Sequence, residues 1–172
     1  LVYYVSPEVE VDMTESAGKI NKTPSVGYTA NGGTWSPEIK AEKITEDKAY
    51  EFNFVKTEDI VEKTDDSVKK PEGYVTVIFK TEDENKGKLE GDKLVKIFYV
   101  NPEAEIKLVK LADGQTATEK QLAVPKTAPA ANYEFEGWYE EIDQSTPITS
   151  ERIHVAKFTK NNVTLTYKAG EG

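Results

Sequence analysis

The chain has 172 residues, 37% of them hydrophobic, with a formal net charge of -9, one Arg (Arg152) and no Cys. Acids outnumber bases along most of the chain, which argues against nucleic-acid binding, and no apolar run is long enough to span a bilayer. A disulfide framework and a thiolate metal site are excluded; a surface without thiols suits an oxidising exterior.

The chain opens on "YYVSPEVEV" (Tyr3 to Val11), an apolar strand running into a turn and a second strand. "GGTWSPEIKAEKITEDKAYEFNF" (Gly32 to Phe54) carries a Trp box followed by an apolar strand. The charged stretch Lys56 to Glu72 reads as a linker with a short strand near Ile60. "GYVTVIFK" (Gly73 to Lys80) alternates with period two, placing Val75, Val77 and Phe79 on one face. "EDENKGKLEGD" (Glu82 to Asp92) reads as a polar hairpin turn into the strand "KLVKIFYV" (Lys93 to Val100). Glu105 to Gly114 fits a strand or a short helix. "AVPKTAPAAN" reads as loop, because Pro125 and Pro129 cannot donate to a ladder. "YEFEGWY" (Tyr133 to Tyr139) and "RIHVAKF" (Arg152 to Phe158) are the remaining strands. "NVTLTYK" (Asn162 to Lys168) resembles "YVTVIFK"; it is either the opening strand of a third copy or a closing strand of the second.

Much of this text is written twice. Tyr3–Glu8 matches Phe98–Glu103 at an offset of about 95, and the Trp boxes match at an offset slightly over 100, with Trp35 on Trp138, Ile44 on Ile148 and Phe54 on Phe158. A loop insertion of that size costs little, about half a kcal/mol in closure entropy. The expected organisation is a first repeat over residues 1–68, lacking its opening strand and carrying the linker, and a second over 69–172. The expected class is β-rich, all-β to α+β, with at most one short helix in each module.

Taken in order, "GYVTVIF", "FYVNPEA", "YEFEGWY" and "PITSERIHVAKF" resemble the tandem repeats of Gram-positive cell-wall-anchored surface proteins, and the F-x-GWY box is similar to the internalin B-repeat. That resemblance covers most of Gly73–Phe158 and, without the first strand, Val2–Phe54. It implies two small β-grasp-like modules in an extracellular stalk or adhesin, with neighbouring repeats, a host surface protein or a glycan as partners. It carries over no catalytic residue, metal or cofactor. In the first copy Gly32-Gly33-Thr34 stands where the second has Phe135-Glu136-Gly137, which predicts a thinner aromatic anchor there.

Five places in the sequence invite sharper chemistry. Trp35 and Trp138 could form a sugar-stacking platform, but their matching positions favour core plugs. His154 has Tyr50 at its position in the other copy, and Tyr is no base near neutral pH, so a half-buried strand position is favoured. The acids Glu82, Asp83, Glu84, Glu90, Asp92, Asp65 and Asp66 offer oxygen ligands for calcium, yet Asp83-x-Asn85-x-Gly87 only half-matches a calcium loop and Lys86 and Lys88 intervene. Paired carboxylates for glycoside hydrolysis could be sought at Glu140 and Glu141 or at Asp143 beside the Trp, but if the strand continues Glu140 and Glu141 point to opposite faces and cannot converge on one bond. An isopeptide bond between residues such as Lys80 and Asn161 would need a buried acid that the sequence does not place. The reading is therefore a non-catalytic module, with a carbohydrate- or host-protein-binding module as the alternative.

Overall fold

The computed structural model describes residues 1–162 and 164–167, and the protein is β-rich. It divides into two compact units, Leu1–Glu58 and Asp59–Gly172. The junction lies before the boundary expected after Val68, because the supposed linker is built into the second unit. Its strand at Ile60–Glu62 pairs antiparallel with Val100, Tyr99 and Phe98.

The first unit contains β1 (Glu10–Asp12), α1 (Thr14–Lys19), β2 (Tyr28–Ser36), β3 (Ala41–Lys43) and β4 (Glu51–Lys56). Two separate pairs hold it: β1 with β3 and β2 with β4, both antiparallel. At the start of α1 the Asp12 carboxylate accepts the Thr14 N–H at 2.8 Å, satisfying a donor the helix leaves free. Glu15 and Lys19 pair one turn apart at 2.6 Å. Six residues are too few for a helix to persist alone, and Ala17 is its only buried side chain. Residues 2–5, expected to be a strand, are extended chain without ladder partners.

The second unit contains β5 (Ile60–Glu62), β6 (Val75–Thr81), β7 (Gly87–Leu89), β8 (Val95–Val100), β9 (Lys107–Val109), β10 (Gln121–Ala123), β11 (Thr127–Pro129), β12 (Tyr133–Tyr139) and β13 (Arg152–Lys160). Five strands form one sheet in the order β12-β13-β6-β8-β5. The β6 and β13 strands run parallel at its centre, and every other neighbouring pair is antiparallel. The alternation read in Val75, Val77 and Phe79 is the inward face: Val77 and Phe79 are wholly buried. Around them pack Phe98, Val100, Ile106, Leu108, Ile148 and Phe158.

Two stretches expected to be irregular are ladder. The Glu82–Asp92 segment is not a plain polar tip, since its β7 pairs with β11 and Leu89 is fully buried. Gly87 passes so close to Phe158 that a Cβ there would sit 2.5 Å from the ring. Pro129 is tolerated in β11 because the neighbouring groups carry the bonds: Ala130 N–H donates to the Lys86 carbonyl and Glu90 N–H to the Lys126 carbonyl, both at 2.8–2.9 Å. The Asn-Pro-Glu turn after β8 is tied to the start of the unit. Asn101 donates through Nδ2 to Asp59 Oδ1 at 2.8 Å, and its own Oδ1 accepts the Glu103 N–H at 3.0 Å.

Phe79 touches three rings edge-on or stacked: Phe98 at 6.1 Å, Trp138 at 5.4 Å and His154 at 5.3 Å between centroids. Replacing it with Ala opens a cavity at the middle of the sheet. Phe79→Ala is expected to destabilise the second unit by about 3–5 kcal/mol, read as a fall in the denaturant midpoint; a change below about 1 kcal/mol would mean that the core collapses onto the gap.

Candidate functional site

Both units contain a similar strand pair, in the same register around its Trp. Trp35 of β2 lies opposite Phe52 of β4, and Trp138 of β12 lies opposite Ala156 of β13. Phe52 and Ala156 each stand two residues before the matched Phe54 and Phe158. Each hairpin is interrupted by a register shift on its Trp strand, between Thr29 and Thr34 in one and Phe135 and Gly137 in the other. A second tie also recurs. In the first unit Glu10 pairs with Lys43; in the second, Ile148 N–H donates to the Ile106 carbonyl at 2.8 Å. Both ties join the segment after the Pro-Glu turn to the segment after the Trp box.

The aromatic anchor of the first unit is displaced rather than thinned. In the second unit Phe135 packs against Trp138 at 5.8 Å and, across the ladder, Phe158 at 5.9 Å, while the small Ala156 faces Trp138. In the first unit the ring comes from the opposite strand: Phe52 meets Trp35 at 5.3 Å and Phe54 at 5.1 Å. A Cβ on Gly33 would lie 2.6 Å from that Phe52 ring, so glycine makes the room that Phe52 fills. Lys22 covers the outside, its Nζ 5.8 Å from the Trp35 ring and 5.4 Å from the Phe52 ring. Neither Trp is fully enclosed; both are half-buried.

The units differ in what lies beneath the Trp. In the second unit it is β6. In the first it is a cavity of about 320 Å³, bounded by Val2, Tyr3, Val5, Trp35, Ile44 and Tyr50 among others. A void of about 150 Å³ holds a benzene ring, so this one has room for roughly two ring-sized side chains. Its wall carries one polar cluster: Tyr50 Oη donates to Glu42 Oε1 at 2.8 Å, and Lys48 Nζ reaches the same oxygen at 2.5 Å. The Lys48 ammonium and the Tyr50 hydroxyl hold the Glu42 carboxyl below its ordinary range.

The other residues singled out in the sequence are engaged in the fold. Glu82 accepts the Phe158 N–H at 3.0 Å and Lys157 Nζ at 3.2 Å, and the backbone bond foremost keeps its carboxyl below the usual range. Asp65 and Asp66 are exposed; Asp65 accepts from Ser67, and Asp66 pairs with Lys63 at 2.6 Å. No group of three or more His, Cys, Asp or Glu residues is placed to hold a metal among the described residues. Glu140 and Glu141 lie beyond the end of β12 and are exposed. Asp143 beside them closes a turn by accepting from Ser145 and Thr146, which holds its carboxyl far below the usual range. Lys80 and Asn161 are both exposed, lacking the dry setting an isopeptide bond needs. The segment 162–168 falls partly outside the described residues; of the rest, Leu165 and Tyr167 are 73% and 87% exposed and belong to no strand.

No family model, curated protein or solved structure matches the chain.

His154 is more deeply buried than expected, at 3% exposure. Its ring stacks on Phe79, Nδ1 lies 2.9 Å from the Glu140 carbonyl oxygen, and Nε2 has no hydrogen-bond partner among the described residues. Burial penalises the charged ring and lowers its pKa. The folded state thus binds this proton less readily than the unfolded state. The associated stability is complete above the unfolded value of about 6.5 and is lost as pH falls through the lower folded pKa. Unfolding free energy should therefore drop as pH falls below about 6.5, by at most about 1.4 kcal/mol per pH unit. His154→Phe should flatten that slope, and an unchanged slope in the variant would assign it to other groups.

Proposed function

We propose that the chain is a non-catalytic repeat region of a bacterial cell-surface protein, serving as a stalk or spacer or as part of an adhesin. The observation that carries this reading is the recurrence of one Trp hairpin, in one register, in two successive units. Duplication of a whole module lengthens a chain without creating a new reaction centre, and it is the usual economy of extended surface arrays. The resemblance of the "FYVNPEA" and "YEFEGWY" boxes to wall-anchored repeats supports the extracellular location. The β-grasp-like reading of the module is supported by the order β12-β13-β6-β8, in which the parallel pair occupies the centre. Parallel central strands also suit a spacer mechanically. Pulling β6 away from β13 must shear several ladder bonds together rather than unzip them one at a time.

A binding role through exposed aromatics has several rings to draw on, among them Tyr4, Tyr28 and Tyr139. Tyr139 is 65% exposed, with Lys157 Nζ 6.0 Å from its ring centroid. The Trp138 ring is less suited to it, because Phe79 and Phe135 take its contacts.

Stretching single molecules between handles tests the spacer reading. The second unit is expected to yield in one cooperative step, releasing on the order of 300 Å of contour at about 3.5 Å per residue. Gradual extension without a discrete step would contradict a load-bearing role. Antibodies against the chain should also label intact source cells; labelling only after lysis would remove the surface assignment.

A further inference from the structure

A polar pocket opens on the solvent side of the β9–β10 pair in the second unit. Its volume is about 540 Å³, within the range of about 300–1,000 Å³ usual for small-molecule sites. The two strands run parallel, with Lys107 beside Gln121 and Leu108 beside Leu122. Leu108 and Leu122 belong to the core. Successive side chains on a strand alternate faces, so Lys107 and Gln121 stand together on the other side. Thr118 and Lys120 close the pocket ahead of β10, and Gln144 reaches it from the loop after β12.

The backbone fixes which ends of the two amides are free. Gln144 Oε1 accepts the Lys110 N–H at 2.8 Å, and Gln121 Oε1 accepts the Thr118 N–H at 3.0 Å. Each bond engages the carbonyl end of the amide and leaves its NH2 end, which can only donate, without a partner among the described residues. Lys120 Nζ gives one proton to the Ala104 carbonyl at 3.0 Å and keeps the others. Lys107 Nζ makes no hydrogen bond or ion pair among the described residues. Against these donors the lining sets a single carboxylate, that of Glu105. Positive charge is therefore in local excess on a chain of net charge -9.

Converging N–H donors suit an oxygen anion, because a charged acceptor makes each bond shorter and roughly twice as strong. We propose that this pocket binds an acidic sugar, with the sugar's carboxylate or phosphate held between Lys107, Lys120 and the amide NH2 groups of Gln121 and Gln144. Glu105 and the Thr118 hydroxyl then take the ring hydroxyls. Both lysines are exposed, so added salt weakens the contact.

Nuclear magnetic resonance of the isotope-labelled full chain tests this, with galacturonate as the carboxylate probe and glucose phosphate as the phosphate probe. The side-chain NH2 signals of Gln121 and Gln144 are expected to shift saturably with one acid or with both, while that of Gln115 stays in place. Gln115 serves as the control because its Oε1 also accepts a backbone N–H, from Ala112, yet it lies outside the pocket. Galactose and glucose should bind at least tenfold more weakly. In Gln121→Glu and Gln144→Glu an oxygen remains for the backbone N–H and only the donor is lost, so the fold is kept and affinity should fall at least tenfold, read on the remaining amide. The exposed Lys107→Gln change should act alike. Three results would overturn the proposal: no saturable shift with either acid up to tens of millimolar; neutral sugars bound as tightly as the acids; or affinity unchanged in Lys107→Gln and in the two glutamate variants.

Discussion

The structure of the second unit rests on one insertion: the apolar face of β6 pressed between β8 and β13. Val77 and Phe79 are shielded completely, and burying side chains of this size contributes about 1.5–3 kcal/mol each. The same strand completes the ladders of both neighbours, so its backbone donors and acceptors are satisfied where water cannot reach them. In a unit this small no other element joins so many parts. Phe79 alone links the sheet to the Trp hairpin, to His154 and to Phe98 of β8.

The first unit shows the same plan without that insertion. Its hairpin keeps its register and its Trp, and it restores a ring lost at Gly32 by placing Phe52 over Gly33. Such paired changes, ring for small residue on one strand and small residue for ring on the other, hold the hairpin's volume nearly constant, which is the kind of exchange cores tolerate best. The hairpin cannot supply a core by itself. Ala17 is the unit's sole fully buried hydrophobic residue, and Val2, Tyr3 and Val5 remain exposed. Two-stranded ladders of this kind are marginal in water.

Much of this plan was legible in the residues, where alternation was long and one-sided. The strands at Val75–Thr81, Val95–Val100, Tyr133–Tyr139 and Arg152–Lys160 all carry strings of β-branched or aromatic residues, and in Val75–Thr81 and Arg152–Lys160 the buried residues alternate. The pairing of Trp35 with Trp138 also foretold equivalent hairpins. What escaped the reading were short elements whose state is set from outside. The strands β7 and β11 are three residues each, contain Gly87 and Pro129, and exist because each supplies the other's edge. Residues 2–5 have the composition of a strand but lack the neighbour that would make them one. Ile60 was seen as a short strand, yet its attachment to β8, and hence the place where the units divide, depends on a pairing partner about forty residues away.

Amide hydrogen exchange, resolved residue by residue, tests most directly the claim that one inserted strand makes the difference between the two units. The β6 and β13 amides should exchange only by global opening of the second unit. The β4 amides, aligned with β13 but lacking a β6, should exchange orders of magnitude faster. Equal protection of Phe52–Val55 and Ala156–Thr159 would contradict the account, because the first unit would then be held as firmly without the insertion as the second is with it.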